Sequence, residues 1–179
     1  MSPLTCALGT DHAAIGMAPA TLQRQDIARR IPHQNSMCLL DRVIAWDSQQ
    51  ICCETDSHRS LDNPMRAHGR LGASCGIEYA AQAMAVHGAL IAESLGGAGT
   101  SNAVHARGGS LVSVRCVTLL VLALDNVVGQ LTVNAERVSG NAGNVLYSFT
   151  VLDGLKSLVS GRAIVVLDSP DPVTSPAAA

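Results

Sequence analysis

The sequence predicts an α+β fold in which an antiparallel curved sheet wraps around one long central helix. Three observations predict it. An alanine-rich, proline-free stretch starting at Ser74 carries the strongest helix signal in the chain. Two strand-like runs joined by a short turn precede it. Four more strand-like runs follow it, divided by turn residues, so that hairpins can curve around the helix.

Residues 1–20 show no periodicity and are expected to form a flexible tail; the pattern starts only after Met17, a candidate start of the protein. In residues 21–31, TLQRQDIARRI, the residues Leu22, Ile27 and Ile31 can share a face, which predicts a short amphipathic helix ended by Pro32. CLLDRVIAWD (38–47) and QICCETD (50–56) are predicted as paired strands with a turn at Ser48-Gln49. Residues 57–73 are polar, with Asn63-Pro64 and two glycines, a loop long enough to suggest function. The helix that follows ends at Gly96 and Gly97; it is apolar nearly all round, the pattern of a helix buried on all sides. Residues 98–109 are expected to be a mobile loop. The closing strands are predicted at 110–121, 129–138, 144–153 and 156–167, and the proline-rich end, 169–179, is expected to be disordered. One domain, 21–168, therefore fills most of the 179 residues.

Composition narrows the function. Net charge is −2, and Trp46, Tyr79, Tyr147 and Phe149 are the only aromatic residues, so nothing is provided to neutralise phosphates or stack bases; nucleic acid is not an expected partner. The longest nearly apolar run, 117–124, falls far short of the ~20 residues of a membrane span, and no membrane association is expected. Apolar residues make up 47% and charged residues only 15%, against a usual ~25%, and mean hydropathy is +0.25. That balance suggests apolar surface hidden in an oligomer interface. The six cysteines form no CxxC pair, and Cys52 and Cys53 point to opposite faces of one strand. They are expected to be small buried residues of a cytoplasmic protein, with no metal site and no disulfide framework.

Glu78 is the first candidate for chemistry. A carboxylate near the start of a buried helix must be paired or protonated, and a carboxylic acid there suits general acid work. Gln82 lies one turn along the same face. A capping or solvent-facing role for Glu78 is the alternative. His58, directly after a strand, is the candidate base, with His68 of the same loop as its competitor; solvated loop histidines are the alternative for both. His87 is expected to be packed or at the dimer seam, and His12, His33 and His105 offer no ligand spacing.

The segment IPHQNSMCLLDRV (31–43), the helix GIEYAAQAMAVHG (76–88) and the four closing strands together resemble the hotdog-fold β-hydroxyacyl-acyl-carrier-protein dehydratases. The stretch HRSLDNPMRAHGRL before the helix is similar to the dehydratase-like proteins of aryl-polyene and related pigment clusters. The resemblance covers roughly residues 22–167, with one departure: Pro64 stands where the better-known dehydratases carry a histidine ahead of the helix glutamate. It implies dehydration of a 3-hydroxyacyl thioester on acyl carrier protein to a trans-2-enoyl thioester, in fatty-acid-like or aryl-polyene biosynthesis. His58 would take the α-proton and Glu78 would protonate the departing β-hydroxyl. Backbone N–H groups near Gly72 and Gly76 would hold the enolate oxygen, Gln82 would orient Glu78, and Arg66 and Arg70 would meet the acidic carrier or its arm. The resemblance also implies no cofactor beyond the carrier's phosphopantetheine, and a homodimer or a heterodimer with a hotdog paralogue. A hotdog thioesterase, or a weakly active or non-catalytic subunit of a hetero-oligomeric dehydratase, are the rival readings.

Overall fold

The computed structural model describes residues 21–95, 109–141 and 143–167. The expectations for the two tails, and for nearly all of the 98–109 loop, lie outside these residues.

Seven strands and two α-helices make up the described chain: β1 (Leu22–Gln23), α1 (Arg24–Ala28), β2 (Arg42–Trp46), β3 (Gln50–Thr55), α2 (Gly76–Leu95), β4 (Gly109–Leu119), β5 (Leu131–Gly140), β6 (Asn144–Asp153) and β7 (Lys156–Leu167). All the strands join one antiparallel sheet in the order β1-β2-β3-β5-β6-β7-β4. The expected plan of a sheet around a central helix is the plan observed.

Strict alternation places the sheet. β3, the first five residues of β5 and the first eight residues of β6 bury every second side chain. The inward residues, among them Ile51, Cys53, Leu131, Val133, Phe149 and Val151, form one core with Tyr79, Ala80, Ala83 and Val86 of α2. Before Glu93 no residue of α2 is fully exposed, as its all-round apolar pattern predicts. Cys53 is buried and Cys52 half-buried, so the adjacent pair does straddle the strand.

Two boundaries differ from expectation for physical reasons. α1 is shorter than predicted at both ends. Leu22 and Gln23 are drawn into the sheet opposite Val43 and Arg42, and the Asp26 carboxylate then accepts the Gln23 N–H at 3.2 Å, starting the helix one residue later. β2 starts at Arg42 because the preceding residues of 38–47 turn aside to meet α2, as described below.

The start of α2 touches β7 closely. A Cβ built on Gly76 would stand 2.9 Å from Cγ2 of Val159, which is itself fully buried. Gly76→Val should therefore force the helix off the sheet and cost about 1–3 kcal/mol. The measurement is the urea midpoint, and an unchanged midpoint would contradict this contact.

Candidate active site

Glu78 lies in the first turn of α2, with its side chain partly exposed. His33 Nε2 stands 3.1 Å from Glu78 Oε1, and Gln82 Nε2 donates to the same oxygen at 3.0 Å. Both donors thus converge on Oε1. Among the described residues no group bonds Oε2, and the side chain remains 27% exposed.

Gln82 is the hub of this arrangement. It is fully buried, its Oε1 accepts the Leu39 N–H at 2.8 Å, and its Nε2 donates to the Met37 carbonyl at 2.8 Å. Those two backbone groups fix which end of the amide is which. The NH2 end must face Met37, so it also faces Glu78, and the Glu78 oxygen it meets must be an acceptor. The same bonds tie the 33–39 segment to the helix. Gln34 adds hydrogen bonds to the carbonyls of Ala28 and Ile31, and Arg24 bonds both the Asn35 carbonyl and the Asp41 carboxylate. Asn35 itself takes φ +52°, a left-handed conformation that asparagine tolerates better than most residues. His33 is therefore carried to Glu78 by a braced turn. Its Nδ1 is buried with no hydrogen-bond partner.

His33 was set aside at the sequence level for lack of ligand spacing. Its contact with Glu78 bridges two segments far apart in the chain. The Pro32-His33 pair, already part of the segment that carries the family resemblance, is the signal that could have found it.

The structure does not bring His58 to Glu78. His58 is fully buried in a 3-10 turn, and its Nε2 faces the Val127 carbonyl at 3.2 Å. Its Nδ1 is buried with no hydrogen-bond partner among the described residues, so within this one chain the expected base stands apart from Glu78. His68 sits at an exposed turn with φ +52°, followed by Gly69 at φ +76°, and makes no contact with Glu78 either.

The long polar loop is a brace. Asn63 donates to the Ser57 carbonyl at 3.0 Å and to the Tyr79 hydroxyl at 2.9 Å. Arg66, expected to face a carrier, spends its guanidinium on the carbonyls of Ser60, Gly69 and His58. Arg70 bonds Asp125 at 2.7 Å and Asn126 at 3.2 Å. Desolvation, the largest single influence, pushes the Asp125 carboxyl up, but the Arg70 contacts and the Leu71 N–H together outweigh it and hold the carboxyl below its usual range. At the helix start the Gly76 N–H turns back to the carbonyls of Ala73 and Ser74, so it does not face a substrate oxygen. The Gly72 carbonyl accepts the Cys75 N–H, and Gly72 bridges to Ala123.

His87 is packed, as expected, with Nε2 2.8 Å from the Asp47 carbonyl and Nδ1 3.1 Å from the Tyr147 hydroxyl. The carbonyl requires a proton on Nε2, and in the neutral ring that burial favours Nδ1 accepts from Tyr147. Burial lowers the proton affinity of both His58 and His87. The unfolded chain, with ordinary histidines near 6.5, therefore binds more protons in acid than the folded chain does. Stability should be fully present above that value and decline as pH falls below it. Urea midpoints between pH 8 and pH 5 measure this, and a midpoint that stayed level or rose toward acid would contradict the burial of these two rings.

Among the described residues no helix is long and apolar enough to cross a membrane, and no cluster of three or more potential metal ligands occurs.

The family ApeP-like, described as ApeP dehydratase, matches residues 25–174. No curated protein matches the sequence. Among solved structures, the dehydratase heterocomplex ApeI:P from Xenorhabdus doucetiae matches with TM-score 0.67 and 22% identity, over 80% of this chain and 91% of that one. A thioesterase family protein from Silicibacter pomeroyi matches with TM-score 0.52 and 17% identity, over 80% and 94% of the two chains. A thioesterase from Haemophilus influenzae matches with TM-score 0.50 and 11% identity, over 74% and 81%. These likenesses show the fold, the hotdog plan of a curved sheet around a long helix. The family match spans most of the chain and includes His33, Glu78 and Gln82, and on that ground the protein belongs to the ApeP-like dehydratase family.

Proposed function

We propose that the protein dehydrates a 3-hydroxyacyl thioester, carried on acyl carrier protein, to the trans-2-enoyl thioester, and that Glu78 moves the proton. The observation that carries this reading is the one-sided bonding of Glu78: Oε1 takes donors from both His33 and Gln82, while Oε2 is left open. In the proposed step Oε2 removes the α-proton, which the neighbouring thioester carbonyl acidifies. The carboxylic acid so formed gives that proton to the β-hydroxyl as the C–O bond breaks, and water departs. His33 and Gln82 keep the carboxylate in one orientation through both transfers. No step requires a metal or redox cofactor.

Membership of a dehydratase family supports this reaction over hydrolysis, which the same carboxylate could serve by activating water. The assay that tests it supplies a 3-hydroxyacyl carrier protein and follows both products. Conjugated enoyl thioester, seen by its ultraviolet absorbance, supports dehydration. Free acid and free carrier thiol overturn it.

The active assembly is proposed to be a hetero-oligomer with a second hotdog chain. Among the described residues β4 ends the sheet with one edge unpaired, and it exposes Leu111, Val112, Val117 and Leu119. A long, apolar, open edge of this kind is a template for another strand. A related fold is already known as a heterocomplex.

A further inference from the structure

β7 and β4 carry a charge pattern that the proposed reaction does not use. Arg115 of β4 lies directly opposite Arg162 of β7, so both side chains project from the same face. That is the convex face, because the alternate residues of β6 and β7, Tyr147, Phe149 and Ala163, are buried toward α2. Both arginines are exposed, and neither has a carboxylate within ion-pair distance among the described residues. They flank a shallow depression lined by Ser113, Cys116, Leu146 and Ile164. Like charges directly opposite are unfavourable in an isolated sheet. Neither β4 nor β7 contains an aspartate or glutamate. The open edge is thus cationic along its convex face.

This has a direct consequence for the choice of partner. Two-fold pairing of β4 with a second copy of itself about Val114, the middle of the regular stretch 113–115 between its two bulges, sets Arg115 opposite Ser113. The two Arg115 side chains then become diagonal neighbours, within ~7–8 Å on one face. Each brings its own Arg162 alongside. Self-pairing therefore gathers four guanidinium groups where the outer strands hold no carboxylate. A different chain escapes this repulsion if its edge strand presents carboxylates on the convex face.

We propose that Arg115 and Arg162 select the occupant of the β4 edge: they oppose a second copy of this chain and favour a different chain with an acidic edge strand. The inference rests on the reading that β4 receives another hotdog chain, but its test uses this chain alone and does not depend on catalysis. Arg115→Glu serves as the acidic-edged probe. By sedimentation velocity at about 50 mM salt, where surface charges act over more than ~10 Å, the wild type should self-associate at least about 10-fold more weakly than the variant. About 1 M salt should narrow that gap. Native mass spectrometry of wild type mixed with Arg115→Glu should show mixed dimers above the statistical half. Should that variant fail to fold, Arg162→Glu tests the same ladder position from β7. A wild-type dimer that is tight at low salt and unchanged or weakened by either reversal overturns the proposal. So does mixing at or below the statistical half. A wild-type dimer tightened by inorganic phosphate, but not by sodium chloride of equal ionic strength, also overturns it and assigns the arginine pair to an anion. Loss of enoyl product in the dehydration assay would defeat the reaction proposed above and leave this result standing.

Discussion

Glu78→Gln should lower the rate of enoyl thioester formation by about 10²–10⁴-fold, the range for loss of a positioned proton-transfer group, while the protein keeps its fold. The amide has the shape of the carboxylate. It retains an oxygen that can accept from Gln82 at 3.0 Å and from His33 at 3.1 Å, and it replaces only the position that is left unbonded. What disappears is the ability to take up and return a proton. Because Glu78 is not a core residue, the melting temperature should change little, and this separates lost chemistry from lost structure. The measurement is the initial rate with a 3-hydroxyacyl carrier protein, with the proposed partner chain present. A variant that kept more than a tenth of the rate would remove Glu78 from the chemistry.

The second large effect is expected at Gln82. Gln82→Leu fills nearly the same volume but leaves the buried Leu39 N–H and the Met37 carbonyl without their partner. Unsatisfied buried polar groups cost roughly 1–3 kcal/mol each, so the variant should lose about 2–5 kcal/mol of stability. It also frees the segment that carries His33, so activity should fall together with stability. Gln82→Glu separates the two roles. It can still accept the Leu39 N–H, but it places a second carboxylate beside Glu78. Like charges in one site raise the proton affinity of the pair. The acidic limb of the pH–rate profile should therefore move to higher pH, which a purely structural role for Gln82 would not cause. An unshifted profile would end the positioning role.

What was legible in the sequence was local. The helix starting near Ser74 was readable from its alanine-rich, proline-free run, and the last two strands, 144–153 and 156–167, from strand-like runs parted by the Asp153-Gly154 turn, signals that need only neighbouring residues. The Glu78–Gln82 bond was readable for the same reason, as residues four apart on a helix must meet. The His33 contact was not, since it depends on a side chain of α2 gripping the backbone of a distant turn. His58 was the natural choice by loop position, yet the depth of the Val127 carbonyl beneath it is a tertiary fact. Arg66 and Arg70 looked available for the same reason. Only the folded loop shows that their donors are already engaged by backbone carbonyls and by Asp125.

The position of β4 in the sheet has a further consequence, for the order in which the chain can fold. β4 is fourth in sequence but last in the sheet, and its ladder partner is β7, the last strand to be made. A chain emerging from the ribosome can close β5 on β3 and β6 on β5 as each appears, but β4 has no strand to join until Leu167 is free. Through that interval the leucines and valines of β4 are unpaired on both edges. Such late, long-range pairing slows folding and leaves nascent chains prone to aggregate. A partner strand available at the moment of release would shorten that exposure, so supplying the second chain during synthesis should raise the yield of soluble protein more than adding it afterwards.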